Sequence, residues 1–207
     1  TGNFGDIYAG YVAKKMGLPI NKLIIATNKN DILKRVVETG CYKPSEVKHT
    51  ISPSMDIQVA SNFERLIFDI VACDSKKTLK LMNDLNESGE FKLAKEELQK
   101  IRDSFLSESL SEEMTKSVIS EMYKNYGALV DPHTAVGIGV TKKISPEENT
   151  VILSTAHPSK FPDVVMEATG IKPELPENLK RILVKKEKYD RLPKDFEKVK
   201  KYIRERK

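Results

Sequence analysis

The most constraining stretch of this chain is its first, Gly2-Asn3-Phe4-Gly5-Asp6, which runs directly into Ile7-Tyr8-Ala9-Gly10-Tyr11. Two glycines flank Asn3 and Phe4, and a helical pattern opens after Gly5. Ile7 and Tyr11 supply its buried face, joined by Ala9 or Val12, and Gly17-Leu18-Pro19 ends it. A Gly-rich turn feeding a helix start leaves several main-chain N–H groups without an intrahelical acceptor. The helix dipole adds partial positive charge at the same point, so the fitting ligand is a phosphate. Glycine is wanted there because a β-carbon would block the anion and because the turn can require positive φ. Equally, short Gly patterns of this kind cap ordinary helices and bind nothing.

The next pattern suits a parallel α/β layout. Residues 22–28, with Leu23-Ile24-Ile25-Ala26-Thr27 at their centre, form a β-branched run after a helix, as expected of a strand covered on both faces. Asn30 or Asp31 can cap a following helix that carries Ile32, Leu33, Val36 and Val37 and stops at Gly40. Ligands of open α/β sheets gather at the carboxyl ends of strands, so Thr27-Asn28-Lys29-Asn30 points toward a site, or is a polar turn. Residues 48–56 read as an extended loop, because Pro53 disfavours helix before it. Ser61-Asn62 opens a helix with Phe63, Leu66, Ile67 and Ile70 on its apolar face. Residues 75–126 read as helical, with Leu79, Met82 and Leu85 in one stripe and Phe91, Leu93, Leu98, Ile101 and Phe105 in the next. Ser111-Glu112-Glu113 gives a further start signal. The apolar run 127–130 is expected to be a short strand ending at Asp131-Pro132, followed by a small-residue helix from His133-Thr134-Ala135. Residues 150–153 give the clearest strand pattern, emptying into Ser154-Thr155-Ala156-His157. A short helix spans 162–170, a linker follows, and a last helix carries Phe196, Val199, Tyr202 and Ile203 on one face.

Composition excludes several classes. Among 207 residues, 39% are hydrophobic, enough to build a core, and 31% are charged. No apolar run approaches the roughly 20 residues of a membrane span, so no membrane partner is expected. The net charge of +5 is densest over 198–207 but has no interleaved aromatic platform, so no nucleic-acid partner is expected. Cys41 and Cys73 stand far apart, so no metal site or disulfide framework is indicated, and a reducing cytoplasmic compartment is expected. Of the histidines, His49 reads as an ordinary surface or core residue. The chain starts at Thr1, inside its best motif, and a piece of a longer protein is expected.

Several of these segments, in this order, resemble the threonine synthases. The first is Gly2-Asn3-Phe4-Gly5-Asp6, similar to the family's phosphate loop. With it go Ile24-Ile25-Ala26-Thr27-Asn28, Ser52-Pro53-Ser54-Met55-Asp56-Ile57, Ser61-Asn62-Phe63-Glu64-Arg65, the Asp131 to Gly137 stretch, and the Ser154 to Pro162 stretch. The resemblance implies a fold-type II enzyme of the tryptophan synthase beta-like kind, using pyridoxal 5′-phosphate (PLP). It implies an α/β, three-layer, mostly parallel sheet, here incomplete. The expected division is 1–74 and 127–170 in the cofactor domain, 75–126 a helical insertion, and 171–207 carboxy-terminal packing helices. It further implies a lyase of threonine biosynthesis that converts O-phospho-L-homoserine and water to L-threonine and phosphate.

For the site, the resemblance implies that Gly2, Asn3, Phe4 and Gly5 hold the cofactor phosphate through main-chain N–H groups, with Asp6 serving the helix dipole. Thr155, or else Ser154, would meet the pyridine nitrogen with a hydroxyl. Asn62, Arg65, His133, Thr134 and Lys160 would lie near the substrate, although Asn62 and Arg65 read equally as a cap and a surface cation. Asp131 and Thr134 could equally cap their helix. The family's Schiff-base lysine belongs to an amino-terminal segment absent here, so no catalytic residue is expected in this chain, which alone should be inactive. That amino-terminal half is the expected partner, and an exposed sheet edge makes self-association of the fragment an expected alternative. Two rivals stand: another PLP enzyme such as threonine dehydratase or cysteine synthase, and a non-catalytic phosphate-binding module.

Overall fold

The computed structural model describes residues 1–144 and 149–206, and Lys207 of the basic tail lies outside the described residues. The chain divides into two compact units, Thr1–Pro173 and Glu174–Lys207. The first unit opens with α1 (Gly5–Lys15), β1 (Leu23–Thr27), α2 (Ile32–Thr39) and the two-residue β2 (Cys41–Tyr42). It continues through α3 (Phe63–Ile70), α4 (Ser75–Ser88), β3 (Phe91–Lys92), α5 (Lys95–Ser104) and β4 (Phe105–Ser109). α6 (Glu112–Tyr126), α7 (Pro132–Ile144) and α8 (Pro162–Thr169) complete its regular helices. In the second unit the main element is α9 (Phe196–Glu205).

β1 and β4 pair in parallel, with Leu23 opposite Phe105 and Thr27 opposite Ser109. β2 and β3 form a separate antiparallel pair. Successive side chains of a strand point to opposite faces, and β1 uses both. Ile25 joins a core made with Phe4, Ile7, Tyr11, Val36, Phe63, Leu66, Ile67 and Phe105. Ala26 and the half-buried Ile24 join a second core with Leu110, Ile119, Val136 and Val140 of the α6–α7 side. The parallel pair therefore carries helices on both faces. α7 packs closely because it is built of small residues. A β-carbon on Gly139 would meet Leu110 Cδ2 at 2.5 Å and Val118 Cγ2 at 3.2 Å.

Two expectations need correction. Residues 75–126 are not helical throughout, because β4 and β3 lie within them. Phe105, read as part of a helical stripe, is instead the first residue of a strand whose partner is some 80 positions earlier, and helical periodicity carries no trace of that pairing. Neither 127–130 nor 150–153 is a strand. Apolar content favours a strand only where an edge offers main-chain partners, and here Val151 and Leu153 are exposed while Ile152 packs on α7 near Gly137.

Candidate functional site

The Gly2–Gly5 loop is held from all sides. The Thr1 main-chain nitrogen donates to the Ala26 carbonyl at 2.5 Å, setting the loop beside the carboxyl end of β1. Asn62 grips it next, its main-chain N–H and its Nδ2 both donating to the Asn3 carbonyl, at 3.0 and 3.1 Å. Phe4 anchors it from below. Its ring is fully buried, edge-on to Phe63 at 5.2 Å and tilted against Phe105 at 5.8 Å. That burial holds Phe4 at φ 68°, a left-handed conformation that a phenylalanine rarely adopts.

This backbone has a chemical consequence. A left-handed residue directly before a right-handed helix turns successive N–H groups toward one side, forming a concavity suited to an anion. The first N–H groups of α1 belong to Phe4, Gly5, Asp6 and Ile7, none of which has a carbonyl one turn behind it in the helix. Gly5 N–H is taken by the Asn3 side chain at 2.9 Å. The others add their partial charge to the helix dipole. A β-carbon on Gly5 would press on Asn3 Oδ1 at 3.0 Å and Asn62 Nδ2 at 3.4 Å, inside this cradle. Donors of this kind suit an anion, and a group carrying a phosphate fits them. Asp6, exposed in the first turn, is placed to favour the dipole.

The wall behind the loop is the segment around Ser54, a single 3₁₀ turn at Pro53–Met55. A β-carbon on Gly2 would stand 2.7 Å from the Ser54 carbonyl oxygen and 3.0 Å from Met55 Cα. A buried polar network fixes this wall. Asn28 Nδ2 donates to Thr50 Oγ1 and Asp56 Oδ1, both at 2.8 Å, and to Ser52 Oγ at 3.0 Å. Asn30 trades bonds with the Lys48 main chain in both directions, at 2.8 and 2.9 Å, and its own N–H donates to Asn28 Oδ1. Asn28 and Asn30 are thus loop braces rather than ligand groups. Asp31 takes the N-cap position of α2 without a side-chain bond to the helix and instead pairs with Arg35 at 3.0 Å.

The start of α7 meets this wall. Asp131 is buried, and its Oδ1 accepts from the His133 main-chain N–H and lies within hydrogen-bond distance of His133 Nδ1, both at 2.9 Å. Ser54 N–H donates to His133 Nε2 at 3.1 Å. An Nε2 that accepts carries no proton, so His133 is the neutral Nδ1–H tautomer, donating to Asp131. Both ring nitrogens are occupied and the ring packs on Phe161 at 4.7 Å, so His133 braces the wall and has no nitrogen left for a substrate. Thr134 Oγ1 donates to Asp131 Oδ2 and lies 3.4 Å from Ser154 Oγ. Burial, the largest single effect on Asp131, pushes its carboxyl up. The bonds from His133 and Thr134 together outweigh burial and hold it below the ordinary 3.8.

Ser154 and Thr155 follow the Ile152 contact with α7 and are exposed, and the next residues turn back at Pro158–Lys160. His157 caps that turn by accepting from Ser159 N–H at 3.2 Å, and Lys160 ends it exposed. The structure therefore brings together Gly2, Asn3, Phe4, Gly5, Asp6 and Asn62, and separately His133, Thr134 and Ser154 through Asp131. Arg65 instead lines a groove of about 340 Å³ with Tyr8, Ser61, Glu64, Phe68 and Thr78. Asp131 was legible only as a helix cap, and the bracing role of Ser54 had no signal at all, since it acts through main-chain atoms. Among the described residues there is no cluster of three or more His, Cys, Asp or Glu able to hold a metal, and no helix long and apolar enough to cross a membrane.

The chain is similar to several known proteins. Residues 134–203 match a family model described as threonine synthase, C-terminal. The threonine synthase of Pseudomonas aeruginosa is 41% identical over 206 residues, covering 98% of this chain and 44% of that protein. The crystal structure of PLP-bound threonine synthase from Brucella melitensis superposes with a TM-score of 0.87 at 44% identity, covering 99% of this chain and 44% of that one. The yeast threonine synthase structure gives a TM-score of 0.84 at 39% identity over 99% of this chain and 46% of that one. The chain thus spans somewhat under half the length of the relatives it matches.

Proposed function

The chain belongs to the threonine synthase family, and on that premise we propose that it forms the carboxy-terminal part of a PLP-dependent lyase converting O-phospho-L-homoserine and water to L-threonine and phosphate. The observation that carries the reading is the anion cradle at Gly2–Gly5, a left-handed Phe4 feeding the N-terminus of α1. Its fold is read as part of a fold-type II, mostly parallel three-layer domain, which fits helices on both faces of the β1–β4 pair.

In this reading the N–H groups of Phe4, Asp6 and Ile7 bind the cofactor phosphate, and the Asn3 side chain keeps the loop open by occupying Gly5 N–H. The buried Phe4 ring excludes water beneath the loop. Thr155, or its neighbour Ser154, meets the pyridine nitrogen with a hydroxyl, which lacks the charge a carboxylate would use to keep that nitrogen protonated. Bound PLP supplies an electron sink that stabilises negative charge developing on the substrate carbons beside the amine. Asn62, His133 and Thr134 position the loops. Arg65 and Lys160 are the cations available to the substrate's anionic groups, a guanidinium gripping carboxylate or phosphate as a fork and an ammonium as a point charge. In the net reaction Cβ gives up one proton and the Cγ–O bond breaks to release phosphate, water delivers hydroxyl to Cβ, and Cγ takes up a proton to become a methyl group.

The test is turnover by the full-length protein supplied with PLP and O-phospho-L-homoserine. Equal amounts of L-threonine and phosphate support the proposal. Release of phosphate with a keto acid or another product would favour a different PLP enzyme, and a protein that binds PLP without turnover, or not at all, would favour a non-catalytic module.

A further inference from the structure

We propose that Asp131 is a positioning residue that couples the two ends of the cofactor site, the wall behind Gly2 and the loop that carries Thr155. The inference rests on the proposed assignment of those two ends to a phosphate and a pyridine ring. One carboxylate reaches both. Toward the phosphate loop, Oδ1 fixes the His133 ring through Nδ1 at 2.9 Å, His133 Nε2 takes the Ser54 N–H at 3.1 Å, and the Ser54 carbonyl abuts Gly2. Toward the ring end, Oδ2 accepts from the Thr134 hydroxyl, and Thr134 Oγ1 lies 3.4 Å from the hydroxyl of Ser154, the neighbour of Thr155.

An ordinary N-cap does less than this. It needs one acceptor for an N–H in the first turn, a demand that Asp131 meets with His133 N–H at 2.9 Å alone. Asp131 also receives side-chain donors on both oxygens while its side chain is wholly inaccessible. Burying a carboxylate is costly unless its lone pairs are filled, so this group is retained with its full set of partners. Nothing in the geometry requires it to touch the cofactor or substrate.

The test uses the full-length protein with 15N-labelled histidine and backbone amides. In the wild type, two-bond proton–nitrogen correlations should report His133 as the Nδ1–H tautomer, and an Nε2–H tautomer would overturn the proposal. Asp131→Asn should shift the amide resonances of both Gly2 and Thr155 in the cofactor-free protein. Unchanged resonances at either end would overturn it, whether or not the protein binds PLP. With PLP, Asp131→Asn should weaken binding by about tenfold or more, as expected for losing bonds to a charged group. Thr134→Val should weaken it by a smaller factor and Thr134→Ser should restore it. The Asp131→Asn/Thr134→Val double variant should bind no worse than Asp131→Asn, and multiplicative losses would contradict coupling. Should Asp131→Asn fail to fold, the Thr134→Val/His133→Asn cycle replaces it, with independent losses as the overturning result. Failure to bind PLP at all would sink the function proposed above while leaving the tautomer and amide readings to decide this one.

Discussion

Gly2→Ala isolates what the loop requires of its first glycine. The backbone at Gly2 is not left-handed, so any penalty there is spatial. The new methyl would stand 2.7 Å from the Ser54 carbonyl oxygen and 3.0 Å from Met55 Cα, both main-chain atoms of a wall braced by Asn28, Asn30 and Asp56. It also meets Ile57 Cδ1 at 3.0 Å, a side-chain end that can yield. Forced overpacking of this kind costs about 1–3 kcal/mol, or about 5- to 150-fold in an equilibrium constant. Gly10→Ala is the internal control. It lies inside α1, its β-carbon would touch only the flexible end of Leu23 at 3.0 Å, and alanine is favoured over glycine there by about 1 kcal/mol. Urea unfolding and PLP titration of the full-length variants should therefore diverge. Gly2→Ala should lose stability and at least about fivefold in PLP affinity, whereas Gly10→Ala should keep its affinity and hold or gain stability. A Gly2→Ala protein with wild-type stability and affinity would refute the reasoning that Ser54 forms a rigid wall at the phosphate loop.

Other consequences can be read from the same contacts. Phe4→Ala empties a fully buried ring site between Phe63 and Phe105 and should lower unfolding free energy by about 3–5 kcal/mol in urea titrations. Asn30→Ala strands the Lys48 carbonyl and N–H and should cost about 1–3 kcal/mol by the same assay. Because Asp131 has a folded-state pKa below its ordinary 3.8, its contribution is present above that value and is lost as pH falls through the lower folded value. Stability measured from pH 5 downward should thus fall less steeply in Asp131→Asn than in the wild type. The 207-residue chain assayed alone should form no threonine, and measurable turnover by it would contradict the assignment of the cofactor lysine to another segment.

Much of this molecule was legible where the determinants are local. α1, α2 and α3 could be placed from apolar spacing because Ile7 and Tyr11, Ile32 and Val36, and Phe63 and Ile67 each recur at helical intervals and do enter the core. The turn that feeds α1 could be read because a glycine pair before a helix start is a local feature. β4 could not. Its sequence, Phe105-Leu106-Ser107-Glu108-Ser109, has no strong strand pattern, and its identity comes from Leu23–Thr27 across some 80 residues. The opposite error arose at Val151-Ile152-Leu153, where β-branched residues suggested a strand that finds no partner among the described residues. The bracing of the site was hidden for a third reason. His133 looks like a substrate group until Ser54, 79 residues away, is found donating a main-chain N–H to it. No side-chain pattern encodes such a bond. The short Asp131-Pro132-His133-Thr134 string has no periodicity from which its double attachment could be inferred.

The most direct measurement is a crystal structure of the full-length protein with PLP bound. The account predicts the cofactor phosphate within about 2.7–3.2 Å of main-chain nitrogens between Phe4 and Ile7. It also predicts the pyridine nitrogen within the same distance of the Thr155 or Ser154 hydroxyl, with Asp131 touching neither. A phosphate bound away from the N-terminus of α1, or a pyridine nitrogen facing some other group, would contradict it.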